Sequence, residues 1–522
     1  MMFKKYYIVS MLFLSTYLSA QTVSGYVYDD VNRNGKKESK EKPIANVAVT
    51  NGAEVVLTDK NGKYSLPISN DAIIAVIKPS GYAIPLNSDN LPQFFYNYKP
   101  EGSPKFKFSG VAPTGKLPKL LNFGLYQTNE PDEFTALVFG DPQPYTLEEV
   151  DYFYRGVVAE VEGIKNVPFG LSLGDLVGND LSLFNPYIQA VKKTGIPWYN
   201  LLGNHDLNFD ATEDKLADET YEAHFGPANY AFNFGKVHFI VLDDVLYPDP
   251  RDQKGYWGGF REDQLQFIEN DLKFVPKDHL IVLAFHIPLS EPDEDAFRDE
   301  DRNKLFKILQ DFPNTLSLSA HTHIQRQDFF GKKEGWLQEK PHHHYNVGTT
   351  SGDWYSGKLD EKGIPISVMR DGTQKGYAFI HFNGNQYNVS YKVAGKPKEH
   401  QMELFAPKVV AKVKRTKAGV FANFFMGKEG DQVQYRIDGG VWKDMEFVKE
   451  QDPSYVALVY EWDTTEQLMP GRRSSDPIIS THVWRGNLPA NLDLGVHTIE
   501  IQATDMFGNQ HKATKTYKID SL

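Results

Sequence analysis

Five short segments in the middle of the chain carry residues able to do chemistry: Gly140-Asp141-Pro142-Gln143, Gly174-Asp175, Gly203-Asn204-His205-Asp206, His286 and His321-Thr322-His323. Carboxylate and amide oxygens combined with imidazoles are a ligand set for two divalent cations. Such a pair, about 3.5–4 Å apart, generates a hydroxide nucleophile at neutral pH and stabilises both ends of an in-line displacement. Asp141 and Asp175 each follow a glycine at the end of an apolar run, where a tight turn aims the carboxylate into a crevice. Asp175 is the candidate carboxylate shared by both cations. Asn204, His205 and Asp206 place an amide oxygen, an imidazole and a carboxylate side by side, a density that a core would not bury without partners. His321 and His323 sit at alternate positions of an extended segment, so both rings face one side.

These segments need elements that end where they begin. Apolar runs at 136–139, 169–173, 198–202, 238–242, 279–285 and 315–319 alternate with amphipathic stretches at 147–161, 183–193, 262–274 and 301–311. The alternation predicts a sheet covered on both faces by helices. Four of the five segments directly follow a clearly apolar run, and strand ends form the crevice where ligands bind in such folds. His342-His343-His344 has the composition of a metal tract, but it reads as the start of a strand with alternate rings on opposite faces.

Before residue 131 the text changes to short β-like runs at 23–28, 47–49, 55–57 and 72–77, punctuated by Gly, Pro and Asn, which predicts a small sandwich. In it, Asp30, Asn32 and Asn34 stand at alternate positions before Gly35, with Glu38 and Glu41 beyond, as oxygen ligands do in calcium loops. Lys36, Lys37, Lys40 and Lys42 dilute the negative charge, and an Asx-rich turn is the competing reading. With Thr58-Asp59-Lys60-Asn61-Gly62-Lys63-Tyr64, this stretch resembles the B-type repeat modules of bacterial surface proteins. After 394 helical periodicity is not expected to return; runs at 409–413, 433–437 and 496–503, with a Gly439-Gly440 hairpin signal, predict a second sandwich. Its Arg472-Arg473-Ser474-Ser475-Asp476 reads as a solvated turn or a phosphate-facing patch.

At 522 residues and 41% hydrophobic content, the chain exceeds what one core organises. The expected layout is a leader at 1–20, an N-terminal β module at 22–126, a catalytic core at 131–395 and a C-terminal β domain at 403–522. A net charge of −12 argues against a broad nucleic-acid surface. The absence of cysteine removes thiolate mechanisms and any lipid-accepting cysteine. Lys4-Lys5, an apolar stretch at 6–18 and Ser19-Ala20 form a signal-peptide pattern, with a retained anchor as the alternative. The expectation is therefore export to the periplasm, cell surface or exterior, with no membrane span after the leader.

In their order and strand-end placement, the five segments resemble the calcineurin-like metallophosphoesterase superfamily over residues 134–391. The resemblance implies a β-sandwich core flanked by helices. It also implies a first metal on Asp141, Asp175 and His323, with Gln143 directly or through water, and a second on Asp175, Asn204, His286 and His321. His205 would stabilise charge or protonate the leaving oxygen, with Asp206 orienting its ring, and a hydroxide bridging the metals would attack. Two positions depart from the pattern: Gln143 stands where most members have His, and Ala320 where many have Gly. The candidate ions are manganese, iron, zinc and magnesium, and an amide oxygen in place of an imidazole either lowers affinity at one metal or favours harder ions such as manganese or magnesium. The flanking β modules, with Gly348-Thr349-Thr350-Ser351-Gly352-Asp353-Trp354-Tyr355 and Asp371-Gly372-Thr373-Gln374-Lys375-Gly376-Tyr377, resemble exported bacterial phosphoesterases. Trp354, Tyr355 and Tyr377 are candidates either to stack on substrate or to pack a domain joint. The implied activity is hydrolysis of phosphate esters, phosphomonoesters first, on an envelope phospholipid or glycan or in phosphate scavenging. The alternatives are a diesterase and a surface binding protein with a weakened core.

Overall fold

The computed structural model describes residues 21–292 and 294–521; the expected leader lies outside them. The core strands are β1 (Glu133–Phe139), β2 (Gly170–Leu173), β3 (Trp198–Leu201), β4 (Tyr230–Phe234), β5 (Val237–Val241), β6 (Leu280–Ala284), β7 (Asn314–Ser319), β8 (Arg326–Phe330), β9 (His342–Asn346), β10 (Gly376–Asn383) and β11 (Gln386–Val393). They form two sheets, ordered β3-β2-β1-β10-β11 and β4-β5-β6-β7-β9-β8. β1, β2 and β3 run parallel, as do β5, β6, β7 and β9. Every residue of β5 and β6 is buried, as expected of parallel strands covered on both faces.

This corrects the expectation of one sheet covered by helices on both faces. Ala136, Val138, Leu171 and Leu201 of the first sheet share one apolar core with Phe239, Val282, Ala284 and Leu318 of the second. Their sequence neighbours Leu137, Phe139, Ile240, Ile281 and Leu283 belong to the other core, with the helices. Those helices are α1 (Leu147–Gly156), α2 (Phe184–Val191), α3 (Glu219–Phe225), α4 (Glu262–Leu272) and α5 (Asp299–Leu309). Each sheet thus has one face on its partner and one under helices. A βα alternation is the same string of letters for both arrangements. The sandwich is the one that the family resemblance implied.

The N-terminal module is a sandwich of two four-stranded sheets, one holding Gln21–Asp29 and Phe123–Gln127, the other Ala48–Thr50 and Ala72–Val76. It grips the core through Lys99, buried against Glu219 and Glu222 of α3 at 2.6 and 2.7 Å. The C-terminal module pairs a four-stranded with a five-stranded sheet. It also contains a helix, α6 (Pro453–Thr464), against the expectation that helical periodicity would not return. Only Tyr455 and Val459 of α6 are buried, so no wide apolar stripe announces it, although the capping Asp452 and Pro453 at its first turn are a start signal. A two-residue ladder between Gly357–Lys358 and Gly471–Arg472 ties this module to the core. Among the described residues, no helix is long and apolar enough to cross a membrane.

The histidine triplet opens β9, as its period-two reading requires. His342 and His344 bond to Thr315, Ser317 and Ser319 on one side, and His343 to Gln327 and Tyr387 on the other. Every ring is satisfied inside the sheet, which leaves none for a metal.

Candidate functional site

All five segments meet where the parallel strands of both sheets end. Asp141 and Gln143 follow β1, Asp175 follows β2, Asn204 to Asp206 follow β3, His286 follows β6, and His321 and His323 follow β7. The backbone there is unusual. Asp141, Gln143, Asp175, His321 and His323 have φ of +35°, +40°, +47°, +68° and +52°, left-handed values that non-glycine residues adopt rarely and at functional sites. These turns reverse the chain sharply enough to aim each side chain back across the strand ends. Glycine is needed beside them for close approach: a Cβ on Gly203 would lie 2.2 Å from the Asp175 amide nitrogen, and one on Gly174 2.5 Å from His286 Nδ1.

The side chains converge lone pair on lone pair. His286 donates its Nδ1 hydrogen to the Leu173 carbonyl at 2.8 Å, which turns Nε2 to the cluster as the atom that would meet a cation. That atom faces Asn204 Oδ1 at 3.1 Å, His321 Nδ1 at 3.2 Å and Asp175 Oδ2 at 3.3 Å. His323 likewise gives Nδ1–H to the Gly352 carbonyl at 2.6 Å and turns Nε2 to Gln143 Oε1 at 2.8 Å, with Asp141 Oδ1 at 3.9 Å. Asp175 lies between the two groups, accepting from Gln143 Nε2 at 3.0 Å and from the His205 amide at 2.9 Å. One ligand atom each from Asp175, His286 and His321 lie within 4.8 Å of one another.

Such clusters demand positive charge. Burial disfavours the imidazolium form of His286, yet Asp175 and Asp141 hold its pKa up at about 10. Burial, and then the neighbouring His286, push His321 down to about 3; burial also pushes His323 down to about 4. Those two rings are neutral lone-pair donors at physiological pH. Buried carboxylates, neutral imidazoles and amide oxygens pointing at common spaces fit divalent cations.

Two expected roles change. Asp206 does not orient the His205 ring: its buried carboxylate accepts the amides of Leu176, Val177 and Gly203 at 2.9–3.1 Å. It is a clamp that holds the turns after β2 and β3 together. The ring of His205 is held instead by Asn179, whose Oδ1 lies 2.7 Å from Nδ1. Of the three aromatics, only Trp354 faces the site, stacked on His323 with centroids 4.0 Å apart. Tyr355 and Tyr377 are buried, bonded to Pro142 and Glu160. Ala320, where many members have glycine, is buried with its methyl facing Gly140, at which an added Cβ would lie 3.3 Å away.

Beyond the cluster opens a cleft of about 490 Å³, lined by Tyr256, Trp354, Arg370 and, from the C-terminal module, Ile478, Ile479 and Thr481. Arg370 points a guanidinium toward it whose buried Nε lacks a partner. Arg472 donates to the Trp354 carbonyl, while Arg473 is bound to Asp463 and Asp476, so the Arg-Arg segment braces the cleft wall. Sequence reasoning missed Asn179, Arg370 and Asp244. Asp244 accepts the amides of His286 and Ile287. It follows the apolar run of β5 just as Asp141 follows β1, and that signal was available.

Three family models match the chain in sequence: the N terminal of calcineurin-like phosphoesterase over residues 31–111, calcineurin-like phosphoesterase over 134–325, and the C terminal of calcineurin-like phosphoesterase over 344–511. The 3',5'-cyclic adenosine monophosphate phosphodiesterase CpdA from two strains of Escherichia coli is 24% identical over 206 residues, 37% of this chain and 70% of the relative. A purple acid phosphatase from yellow lupin seeds aligns over 72% of this chain and 67% of its own at 11% identity and a TM-score of 0.36. The GAP50 anchor of the Plasmodium inner membrane complex aligns over 51% and 85% at 17% identity and a TM-score of 0.32. On the ordered matches of all three family models, this chain belongs to the calcineurin-like phosphoesterases and is a phosphate-ester hydrolase, its catalytic core set between that family's N-terminal and C-terminal modules.

Proposed function

We propose that the strand-end cluster holds two divalent cations and that the chain hydrolyses phosphomonoesters outside the cytoplasm. The observation that carries this reading is the double convergence of lone pairs on either side of Asp175, at His286–Asn204–His321 and at His323–Gln143–Asp141. Asp141, Asp175, His323 and Gln143 would hold one cation; Asp175, Asn204, His286 and His321 the other. Bound there, the pair lowers the pKa of water to give a nucleophile and neutralises charge on the phosphoryl oxygens. Gln143, an amide in place of an imidazole, favours manganese or magnesium over zinc or iron.

The remaining roles belong to this chain's own groups. His205, on the rim and held by Asn179, protonates the leaving oxygen. Arg370 meets the additional negative charge that a monoester carries over a diester. Export rests on the leader pattern, and an envelope phospholipid or glycan is the substrate class that such a location offers. A diesterase is the second reading. It is favoured by the apolar Ile478 and Ile479 wall, which suits a second ester substituent, and by relatives named as phosphodiesterases.

Metal-stripped protein refilled with manganese, magnesium, zinc or iron would be given an aryl phosphomonoester and the matching diester. The expected result is metal-dependent turnover favouring the monoester, with Arg370→Ala lowering monoester kcat/KM roughly a hundredfold and diester turnover much less. Preference for the diester, unaffected by Arg370→Ala, would move the assignment to a diesterase. A chain that binds no cation at the cluster would move it to a binding protein.

A further inference from the structure

Arg370 reaches the cleft from a tight turn at 369–373, closed by Met369 N–H to the Thr373 carbonyl at 2.8 Å and Gly372 N–H to the Met369 carbonyl at 2.9 Å. Its side chain has little to aim it. Nε lacks a partner, Nη2 approaches the Thr322 carbonyl only to 3.4 Å, and the guanidinium carbon lies 5.9 Å from the centre of the Trp354 ring. The direction of the guanidinium therefore depends on where the turn is held. The turn leaves the core and docks on the C-terminal module. Gly372 has φ of +87°, and a Cβ there would lie 2.5 Å from both Asn423 Nδ2 and Asp452 Cβ. Ile478 N–H donates to the Arg370 carbonyl at 3.1 Å, and Asn423 Nδ2 donates to the Asp371 carbonyl at 2.9 Å.

The side chain of Asp371, next to Arg370, joins three segments. Its Oδ1 accepts the Thr373 amide at 2.9 Å within the turn. Its Oδ2 accepts the Gln325 amide at 2.8 Å, two residues beyond the candidate ligand His323. The third segment is the C-terminal module, whose His482 brings Nε2 to 3.1 Å from the same Oδ2. The far side of that ring is held as well, with Nδ1 2.6 Å from Asn423 Oδ1. Asn423 lies in the strand Gly419–Phe424, and His482 precedes the strand Val483–Asn487 paired with it. Asp371, Asn423 and His482 are all buried. A buried polar network with its partners in place fixes one geometry, where apolar packing tolerates several. One imidazole of the C-terminal module thus secures the carboxylate on which both the exit of the His321–His323 segment and the turn bearing Arg370 are fastened.

We propose that His482 is a positioning residue for phosphate-ester hydrolysis: through Asp371 it holds the turn that presents Arg370 to the phosphoryl group, so that the C-terminal module sets substrate preference in the core. The inference rests on the role given above to Arg370. It differs from an ordinary joint between modules in what it ties together. A joint affects stability alone, whereas this contact acts on the monoester and only through Arg370.

The test is a double-mutant cycle on the manganese-loaded full-length chain, with His482→Ala, Arg370→Ala and the double variant. It reads kcat/KM for an aryl phosphomonoester and the matching diester, calorimetric binding of inorganic phosphate, and the thermal midpoint. His482→Ala should lower monoester kcat/KM and phosphate affinity about tenfold and diester turnover much less, with no further loss when Arg370 is already alanine. His482→Gln, whose amide still donates to Asp371, should restore most of the loss. Asn423→Ala, which frees the Asp371 carbonyl and one side of the ring, guards against a His482→Ala chain that fails to fold and should act in the same direction by a smaller factor. The inference is overturned, with the role of Arg370 intact, if the His482→Ala loss is as large in the Arg370→Ala background, if monoester and diester fall alike, or if only the thermal midpoint falls. Should Arg370→Ala itself spare monoester turnover and phosphate binding, the role of Arg370 fails and the inference with it.

Discussion

The two ends of the core's strands are built on opposite terms. At their starting end, aromatic rings interlock: Phe134 stacks on Phe382 at 4.7 Å, Tyr199 on Phe232 at 4.2 Å, and Phe169 stands edge-on to Phe232 and Phe239, both at 5.4 Å. These rings ask nothing of their neighbours except contact. At the finishing end, five residues sit in left-handed backbone conformations, each costing on the order of 1 kcal/mol or more, and two buried carboxylates share a few ångströms with three imidazoles. The comparison teaches that one end supplies stability and the other spends it on a preorganised, electron-rich cluster.

Substitutions can break this division, and the largest effect is expected at the aromatic end. Phe169→Ala should cost about 3–5 kcal/mol of core stability in denaturant unfolding, with kcat of the folded fraction unchanged. A large fall in kcat at unchanged stability would mean that the two ends are not separate. Next comes Asp206→Ala, which strands three buried amides and should cost about 2–3 kcal/mol as well as activity, because the clamp belongs to both accounts. Asn179→Ala should lower kcat by about 10–100-fold with no change in thermal midpoint, as expected for a group acting through His205. An Asn179→Asp variant that restores kcat with a shifted pH profile would sharpen that assignment. The smallest effect is at the cleft wall: Ile479→Ala should change KM for bulky esters by a few-fold, about 1 kcal/mol or less, and leave kcat and stability alone.

Much of the finishing end was legible because its chemistry is local. An apolar run ending in Asp or His announces both a strand and what its end presents, and Asp141, Asp175, His286 and His321 were found on that signal. What failed required contacts between segments. Whether Asp206 or Asn179 holds His205 depends on how the turns after β2 and β3 face each other, and adjacency in sequence misled. Arg370 arrives from a polar loop with no periodicity, and only the fold puts it beside Trp354. The pairing of two sheets was hidden because each has the βα pattern of a single covered sheet. Helix α6 was hidden because its buried face is two residues wide.

The most direct measurement is a manganese titration of the chelated full-length chain, with phosphomonoester hydrolysis followed alongside. Two manganese ions per chain, activity rising with their occupancy, and loss of both ions' tight binding in Asp175→Asn are the predicted result. Full turnover in the chelated protein, or an Asp175→Asn chain that binds two ions and turns over like the parent, would contradict it.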